Sequence, residues 1–555
     1  MASKDELVFL PLGGVGEIGM NLALYGYGPE GRRAWIMVDC GVTFAGPELP
    51  GVDLILPDIR YIEDEKINLK AIIITHSHED HYGAVAELWP YLGAPVYVTP
   101  FTAGMLEAKR AYEGDLQEVP VTIYKAGDRF EAGPFTIEAV PVNHSIPEPV
   151  SLVISSPAGR VIHTGDWKID EAPSLGPLTD EKRFREIGDE GVLGLICDST
   201  NALRDGVSPS EKEVSKSLEN IIRATKGRVA ITTFSSNVGR IRSVAEAARD
   251  AGRKVLLLGS SIKRVVDVAT DLGYMEGLPP FVDEDEFNTI DRNKIVIILT
   301  GSQGESRAAL AKIARDEMRT VMLNAGDTVV FSSRTIPGNE KAILDIKNGL
   351  IEQGVNIITD DEALVHVSGH PRRNELKRMY EWVRPQILVP VHGEAAHLVG
   401  HAAFARQCGI ETVPHVRNGD VLRLAPGPAE VIDEAPHGRI FKDGDLIGDF
   451  DEMGIGERRK LSYVGHIAVN VLLNGKHNLV RDPVVRTKGL PEFDEDNERM
   501  IDRLEEAAVS AVESIPRVRR RDLDVVHESV RRAVRAEARD AWGKKPVMTV
   551  FVTRV

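Results

Sequence analysis

Hydrophobic and polar positions divide the chain into regions with different periodicities. In roughly the first 200 residues, short apolar runs of strand length alternate with clusters of Gly, Pro, Asp and Asn. Only Gly83–Tyr91 and Thr102–Tyr112 have a clear helical pattern there. From Ser208 onward, strands alternate with longer helical stretches, which is typical of βαβ units on a parallel sheet. We therefore predict a layered sheet architecture, interrupted by a second α/β domain.

The rest of the chain predicts a small additional domain. Pro426–Arg459 is rich in Gly, Asp and Pro, and we interpret it as a linker or irregular arm. A strand at Ile467–Leu473, helices near Asp494–Ser514 and Leu523–Ala541, and a strand at Val547–Thr553 are predicted after it. These elements indicate a separate C-terminal α/β domain.

Composition agrees with a globular protein of several domains. The 555 residues are 43% hydrophobic and 27% charged, and 84 acidic against 67 basic residues give a net charge of −17. A chain this acidic does not bind nucleic acid through its overall field. A local basic groove, or one that carries bound metal ions, remains compatible with these numbers.

Cysteine content and hydropathy indicate the compartment. Cys40, Cys197 and Cys408 are far apart in sequence, so no disulfide framework is expected and a reducing environment is favoured. The N-terminal sequence lacks the features of a secretory signal. Apolar runs such as Ile295–Leu299 are too short to span a membrane. We therefore expect a soluble, cytoplasmic protein.

The strongest chemical signal is His76-x-His78-x-Asp80-His81, directly after the apolar run Ala71–Thr75. Imidazole and carboxylate groups suit zinc, manganese and related ions, and a tight loop can direct them at two adjacent metals. Four such side chains within six residues are too concentrated for an ordinary polar surface turn. The motif predicts a dinuclear centre that activates water for hydrolysis.

Two metals need more ligands than one loop supplies. His144, Asp166 and His392 each follow an apolar run and are therefore predicted at the edge of a sheet. Taken singly, each is more often a hydrogen-bonded loop residue, but the main motif makes them candidate ligands. Asp39 also stands at a strand end and would orient a ligand histidine by a hydrogen bond. His163 is expected to be structural.

Two segments have the composition of phosphate-binding sites. The first ends a predicted strand and begins a helix, where hydroxyl and free N–H groups attract an anion, although a simple helix cap has the same sequence. The second combines imidazoles, a hydroxyl and a glycine, and its alternatives are a polar turn or a separate metal site. The role of Thr300–Glu305 is left unassigned. The candidate phosphate-binding residues are Ser235, Ser236 and Asn237 in the first segment and His366, Val367, Ser368, Gly369 and His370 in the second.

The motifs at Asp39, His76–His81, His144 and Asp166 resemble those of the metallo-β-lactamase superfamily. The resemblance covers roughly residues 7–200 and resumes at His392. It implies an αββα sandwich with a site for two divalent ions, Zn²⁺ first and Mn²⁺ or Mg²⁺ as alternatives. By this resemblance, His76, His78 and His144 hold one ion, Asp80, His81 and His392 hold the other, and Asp166 bridges them.

Asp166 and His392 are 226 positions apart, which leaves room for an inserted domain. The insertion resembles the β-CASP domain of nucleic-acid nucleases, whose motifs match at Asp198, His370 and His392, and histidine at the third position favours RNA. Asp80, Asp198 and His370 are thereby implied as catalytic residues.

With its C-terminal domain, the whole chain is similar to the ribonuclease J family. That resemblance implies 5′→3′ exoribonuclease activity favouring 5′-monophosphate RNA, and endoribonuclease activity, in RNA maturation and mRNA decay. It also implies single-stranded RNA as substrate, a homodimer or homotetramer, RNA-degradation complex partners and no membrane association.

Two other functions share some of these features. A small-molecule metallohydrolase would share the metal site but needs neither the large insertion nor the two phosphate-binding segments. An RNA-binding scaffold with a decayed site would not fill every ligand position. Arg517–Arg521 could contact RNA or simply lead into an exposed charged helix. The expected domains are 1–207 and 369–445 for the two parts of the metallo-β-lactamase domain, 208–368 for the β-CASP insertion, 446–464 for a linker and 465–555 for the C-terminal domain.

Overall fold

The computed structural model describes residues 5–114, 116–336 and 338–555. It separates into two compact units. The larger comprises the chain up to Thr43 together with Leu56–Arg439, and the smaller comprises Phe44–Ile55 and Ile440–Val555. No described helix combines the length and hydropathy that crossing a membrane requires.

Two sheets form the centre of the larger unit, and their facing sides enclose one hydrophobic core that includes Phe9, Tyr25, Ile137 and Val389. The eight-stranded sheet has the spatial order Glu430–Glu434, Asp420–Ala425, Glu6–Gly13, Leu22–Gly28, Ala34–Val38, Leu69–Ile73, Val96–Val98 and Val121–Ile123. The six-stranded sheet has the order Ile387–Val391, Gly194–Asp198, Gly159–His163, Val150–Ser156, Phe135–Pro141 and Arg129–Ala132.

Helices complete the outer layers of this sandwich. Three helices pack their apolar faces against the outer side of the six-stranded sheet and form a second core with it. They are Glu181–Glu190, Arg373–Val383 and Ala395–Gln407. Val85–Leu92 and Pro100–Glu113 are the crossovers between parallel strands of the other sheet. The αββα sandwich expected from the sequence is confirmed. Shorter elements of this unit are Arg60–Asp64, Glu79–Tyr82, the 3₁₀ turn Lys66–Asn68 and the paired strands Val15–Gly16 and Gly393–Glu394.

The insertion forms its own parallel sheet with a separate core, as the alternation after Ser208 predicts. The three central strands, Ile295–Leu299, Val229–Thr232 and Thr328–Phe331, are buried on both faces, which explains their continuous rather than alternating hydrophobicity. The spatial order is Lys254–Leu258, Ile295–Leu299, Val229–Thr232, Thr328–Phe331 and Asn356–Ile358. The helical segments are Glu211–Ala224, Val238–Asp250, Ser260–Asp271, Ala309–Ala314 and Glu340–Glu352, with 3₁₀ turns at Glu284–Thr289 and Arg292–Lys294.

The smaller unit packs two helices against a three-stranded sheet. Strand His466–Leu473 alternates buried and half-buried side chains, and helix Leu523–Trp542 buries Val526, Val530 and Val534 at four-residue spacing. These two periodicities place one apolar face of each element in a common core. Its elements are Arg439–Asp443, Leu446–Gly448, Ile455–Val464, His466–Leu473, Val484–Lys488, Met500–Glu513, the 3₁₀ turn Arg519–Arg521, Leu523–Trp542 and Val547–Arg554, while the strand Leu54–Pro57 stands where the chain passes between the units.

The interpretation of Pro426–Arg459 as an irregular arm is wrong in its secondary structure. Glu430–Glu434 pairs with Asp420–Ala425, a second hairpin follows, and a helix begins at Ile455. The glycines of this segment serve tight turns: Gly427 has φ 87° and Gly444 has φ 58°, values that glycine adopts without steric cost. Turn-rich composition therefore marked short hairpins here and not a long loop. The linker at 446–464 and the other domain boundaries stay predictions.

Candidate functional site

The histidine-rich motif lies in a tight turn at the carboxyl end of a buried strand. Leu69–Ile73 ends just before it, and the single turn of helix Glu79–Tyr82 carries Asp80 and His81. The chain packs closely here, since Cys40 N–H donates to the His81 carbonyl at 2.7 Å. A Cβ on Gly41 would lie 1.7 Å from the Asp80 carbonyl oxygen, so only glycine fits beneath this turn.

The remaining candidate ligands follow strands of the six-stranded sheet. His144 follows Phe135–Pro141, Asp166 follows Gly159–His163, and His392 follows Ile387–Val391. Gly159–His163, Gly194–Asp198 and Ile387–Val391 pair in parallel, so their carboxyl ends share one edge. His392 has φ 52°, a left-handed backbone that turns the chain sharply at that edge.

The structure brings all seven candidate ligands together in two overlapping sets. In each set, one ligand atom per residue lies within 4.8 Å of the others. Oδ2 of Asp166 belongs to both sets, 3.6 Å from His144 Nε2, 3.3 Å from His81 Nε2 and 3.5 Å from His392 Nε2. The sets are His76, His78, His144 and Asp166, and Asp80, His81, Asp166 and His392.

The chemistry of these donors fits divalent ions. The other oxygen of Asp166, Oδ1, is buried and has no hydrogen-bond partner among the described residues. Burial, followed by neighbouring charges, lowers the pKa of His76 and His144 and lowers that of His78 to about 4. These rings are therefore neutral near pH 7, which is the state that coordinates metal. An unpaired carboxylate oxygen and neutral imidazoles together form a donor set that divalent cations would complete.

His81 differs from the other rings. Burial disfavours its charged form, but Asp166, Asp80 and Asp39 together raise its pKa well above the usual value. Asp39 Oδ2 lies 2.7 Å from His81 Nδ1 and also accepts the Thr75 hydroxyl at 3.0 Å. Asp39 therefore occupies the orienting position that the sequence predicts, with Nε2 of His81 directed at the cluster.

Other ligand rings are also held on their far side. His76 Nδ1 lies 3.0 Å from Thr75 Oγ1, and His144 Nδ1 lies 2.8 Å from the Gly369 carbonyl oxygen. A Cβ on Gly369 would approach His144 Nδ1 to 2.5 Å, so glycine is required for this contact. The second predicted phosphate segment thus touches the metal cluster through its backbone.

Asn21 is a site residue that the sequence does not reveal. Its Oδ1 lies 2.9 Å from His392 Nδ1, and its Nδ2 donates to the Asp80 carbonyl at 3.0 Å. Asn21 thereby links Asp80 and His392 of the second ligand set. It lies in a glycine-rich loop and belongs to no recognisable motif. Only folding brings it next to His392, which is 371 residues away in sequence.

His370 and Asp198 form a pair beside the cluster. His370 Nδ1 lies 2.7 Å from Asp198 Oδ2 and 3.9 Å from Asp166 Oδ2. Burial disfavours the charged ring, but Asp198 and Asp166 outweigh it and raise the pKa of His370 to about 9. The two motifs therefore meet as expected, with Nδ1 of His370 held by Asp198.

The first phosphate segment reaches the same place. Ser236 Oγ lies 3.1 Å from His78 Nε2, although the two residues are 158 positions apart. The segment follows strand Val229–Thr232 and precedes helix Val238–Asp250, as predicted. The side-chain oxygen of Asn237, however, accepts Arg240 N–H at 2.9 Å, so this residue acts as the helix cap. The helix-cap interpretation is therefore confirmed for Asn237, and phosphate binding by this segment stays a prediction.

Members of the second segment differ in accessibility. Val367 is buried, and Ser368 Oγ accepts from Asn201 Nδ2 at 2.9 Å. Nδ1 of His366 is buried without a hydrogen-bond partner among the described residues. Burial and then the nearby Arg240 lower the pKa of His366 to about 3, which keeps the ring neutral. Gly369 and His370 are the members that touch the metal cluster.

Glu375 is a second residue that sequence reasoning missed. Its side chain is fully buried, and its two oxygens accept the N–H groups of Ile169, Ser208 and Arg372, each at 2.9 Å. Those three residues lie in the loop after Asp166, at the entry to the insertion and at its exit. Glu375 thus ties both crossings of the inserted domain to the loop of the central carboxylate.

The unassigned segment Thr300–Glu305 supports a neighbouring loop of the insertion. Gln303 Nε2 donates to the Arg334 carbonyl at 2.8 Å, and its Oε1 accepts Ile336 N–H at 2.9 Å. Behind the metal cluster, His163 Nδ1 lies 2.9 Å from the buried Tyr25 hydroxyl. We interpret both sets of contacts, those of Gln303 and that of His163, as structural.

Comparison with family models covers most of the chain. Residues 34–181 match the beta-lactamase superfamily domain, and residues 226–350 match the ribonuclease J beta-CASP domain. Residues 354–414 match the Zn-dependent metallo-hydrolase RNA specificity domain, and residues 453–555 match the ribonuclease J C-terminal domain.

Similar proteins agree over the full length. The chain is 71% identical over 555 residues to ribonuclease J of Sinorhizobium meliloti, which covers all of this chain and 98% of that protein. It is 32% identical to ribonuclease J of Thermus thermophilus, over 99% of this chain and 95% of that protein. A crystal structure of a protein of unknown function from Enterococcus faecalis V583 shares the fold, with a TM-score of 0.53 and 15% identity over 75% of this chain and 100% of that one. The chain therefore belongs to the ribonuclease J family of metal-dependent ribonucleases.

Proposed function

We propose that this ribonuclease degrades single-stranded RNA from a 5′-monophosphate end in the 5′→3′ direction and also cleaves internally. The observation that carries the proposal is the contact between Ser236 Oγ and His78 Nε2 at 3.1 Å. It places a hydroxyl from the start of a helix beside the candidate metal centre. An RNA end held at that helix N-terminus would present its first linkages to the metal cluster.

The proposed metal assignment follows the two ligand sets. His76, His78 and His144 would hold one ion, Asp80, His81 and His392 would hold the other, and Asp166 would contribute to both. Two divalent ions, Zn²⁺ in our proposal, supply an activated water and neutralise negative charge at the phosphodiester. Asn21, Asp39 and Thr75 keep the rings oriented, so that little reorganisation is needed when substrate binds.

We propose that His370 acts on the leaving oxygen of the cleaved phosphodiester. Asp198 fixes its Nδ1 at 2.7 Å and favours the protonated ring. Nε2 of the same ring can then donate a proton or a hydrogen bond to the oxygen released from phosphorus.

Selection of the 5′ end would rest on the candidate phosphate site, defined as Ser235–Asn237 and His366–His370. Hydroxyl and backbone N–H groups there can be satisfied by one terminal phosphate. A triphosphate brings two more phosphates to the same donors, and a 5′-hydroxyl leaves them unpaired. We therefore propose that the enzyme starts fastest on monophosphorylated RNA.

Wider aspects of the proposal rest on family membership. They include roles in rRNA maturation and mRNA decay, a homodimeric or homotetrameric assembly, RNA-degradation partners and a cytoplasmic location. Three cysteines without disulfide partners are compatible with that location, because reducing compartments keep thiols free.

A single digestion tests the central claim. A 5′-monophosphorylated RNA with a 3′ label is incubated with enzyme, with and without a chelator. We expect mononucleotides and a shrinking labelled fragment, both abolished by chelation and restored by added divalent metal. Hydrolysis of lactone or thioester substrates with no cleavage of RNA would instead identify a small-molecule metallohydrolase.

A further inference from the structure

The smaller unit carries a group of cationic side chains that the metal centre does not use. Three segments contribute to it: the turn after strand His466–Leu473, the bend before helix Leu523–Trp542, and the end of strand Val547–Arg554. We call it the basic cluster. Its members are Lys476, His477, Arg517, Arg521 and Arg554.

Specific contacts hold the three segments together. Arg517 Nε donates to the Lys476 carbonyl at 3.0 Å, and Arg554 Nη2 donates to the Arg521 carbonyl at 2.7 Å. Neighbouring Arg520 uses its own guanidinium to fix the bend, donating to the Ile515 carbonyl at 2.8 Å. The cluster is therefore built by the fold and is not a run of charges on one free helix.

Its arginines lack the neutralising partners that several other arginines of the unit have. Arg503 lies 2.6 Å from a Glu537 oxygen and Arg531 lies 2.7 Å from a Glu528 oxygen. By contrast, Arg517, Arg521 and Arg554 form no ion pair within the described part of the chain. In a chain of net charge −17, this leaves a local excess of positive charge.

His477 reports that excess. Partial burial, followed by repulsion from Arg554, Arg521 and Arg517, lowers its pKa. Three guanidiniums are thus close enough to act on one imidazole ring. An anion placed between them would relieve this repulsion.

We propose that the basic cluster binds the phosphate backbone of single-stranded RNA, as a contact separate from the metal centre. Guanidinium groups pair with phosphate oxygens through two parallel hydrogen bonds, and several exposed arginines can follow successive phosphates. The ligand identity rests on the proposed function, because RNA is the polyanion on which this family acts. Binding of this kind is independent of sequence and strongly dependent on salt.

The test compares salt dependence in the full-length, metal-loaded enzyme. The test variant is R517Q/R521Q/R554Q, and the matched control is R531Q/R532Q/R539Q, which removes the same charge from the same unit. Initial rates are measured at several salt concentrations on a long 5′-monophosphorylated RNA and on a short oligonucleotide. Each single-strand phosphate contact contributes about 0.7 to the slope of log affinity against log salt.

We expect the test variant to lose up to ~2 from that slope on long RNA and roughly tenfold in kcat/KM at low salt. The control variant should keep the slope of the unmodified enzyme. Equal slopes in the test variant and the unmodified enzyme, or an equal loss in the control, would overturn the proposal. So would a test variant that changes only the oligomeric state in light scattering, since the cluster would then serve subunit assembly.

The short oligonucleotide separates this proposal from the proposed function. Its cleavage should be the same in all three proteins, since it is read by the metal centre alone. Failure to cleave either RNA would count against the proposed ribonuclease mechanism. Cleavage of both with unchanged slopes would count only against the basic cluster.

Discussion

The metal cluster and the candidate phosphate site meet at Ser236 and His78, yet they are built very differently. In the cluster, His76, His81 and His392 each have the far ring nitrogen within 3.0 Å of a partner. In the candidate phosphate site, Ser236 Oγ contacts His78 of the cluster, and Asn237 is used as a helix cap. The rings of the cluster are thus oriented by partners outside it, whereas the candidate phosphate site contacts the cluster and, in our proposal, holds the RNA end. Substitutions should therefore act on chemistry in the first region and on selectivity in the second.

The largest effect is expected for Asp80→Ala. Loss of this carboxylate removes a ligand of one set and the 3.4 Å hydrogen bond that Asp80 Oδ2 accepts from Asn21, so kcat should fall by at least ~10²-fold. The hydrogen bond from Asn21 to the Asp80 backbone carbonyl remains, so little folding stability should be lost. Metal content by elemental analysis and a thermal melt accompany the rate measurement. Full activity with unchanged metal content would refute the role assigned to Asp80.

His370→Ala should lower kcat by about 10²-fold, because one lost transition-state contact typically costs ~2.7–4 kcal/mol. RNA affinity should change much less, since Ser236 and the backbone near Gly369 remain. Separate kcat and KM values on one monophosphorylated RNA distinguish the two effects. A change confined to KM would mean that His370 only binds substrate.

Glu375→Gln should lower kcat by roughly tenfold, because it should displace both the metal cluster and the candidate phosphate site. The amide keeps the size of the side chain but offers its NH₂ to a backbone N–H that needs an acceptor, at a cost of about 1–3 kcal/mol. Glu381→Gln, at an exposed position of the same helix, is the matched control. A lower melting temperature with unchanged kcat would show that Glu375 serves stability only.

The smallest effect is expected for the double replacement of Ser235 and Ser236 by alanine. The preference for monophosphate over triphosphate and hydroxyl ends should shrink by up to about tenfold, which corresponds to one hydrogen bond to a charged group. Internal cleavage should be less affected. Initial rates on three versions of one RNA provide the measurement, and equal rates for all ends in the unmodified enzyme would remove the pocket altogether.

Sequence alone predicted much of the first region because its residues follow strand ends in recognisable motifs. Asp166 and His392 follow strands that end at one edge of a parallel set, whereas His144 follows an antiparallel strand and was assigned, with His76–His81, from its motif. Asn21 and Glu375 could not be found this way. Their roles depend on which backbone N–H or ring nitrogen lies opposite them across hundreds of residues, and an isolated Asn or Glu carries no such pattern. The hairpins within Pro426–Arg459 were missed for a related reason, since Gly and Asp mark turns without indicating what lies between them.

The position of His392 along the chain has a consequence for biosynthesis. His76, His78, His144 and Asp166 have all been made once residue 166 is translated, but His392 comes 226 residues later. At ~5–20 residues per second, the ribosome needs roughly 10–45 s to produce that stretch. Strand Ile387–Val391 must then insert beside Gly194–Asp198, after the whole β-CASP domain has emerged. A nascent chain therefore holds one full set of candidate ligands well before the other, and the last histidine is positioned by a strand that the inserted domain delays.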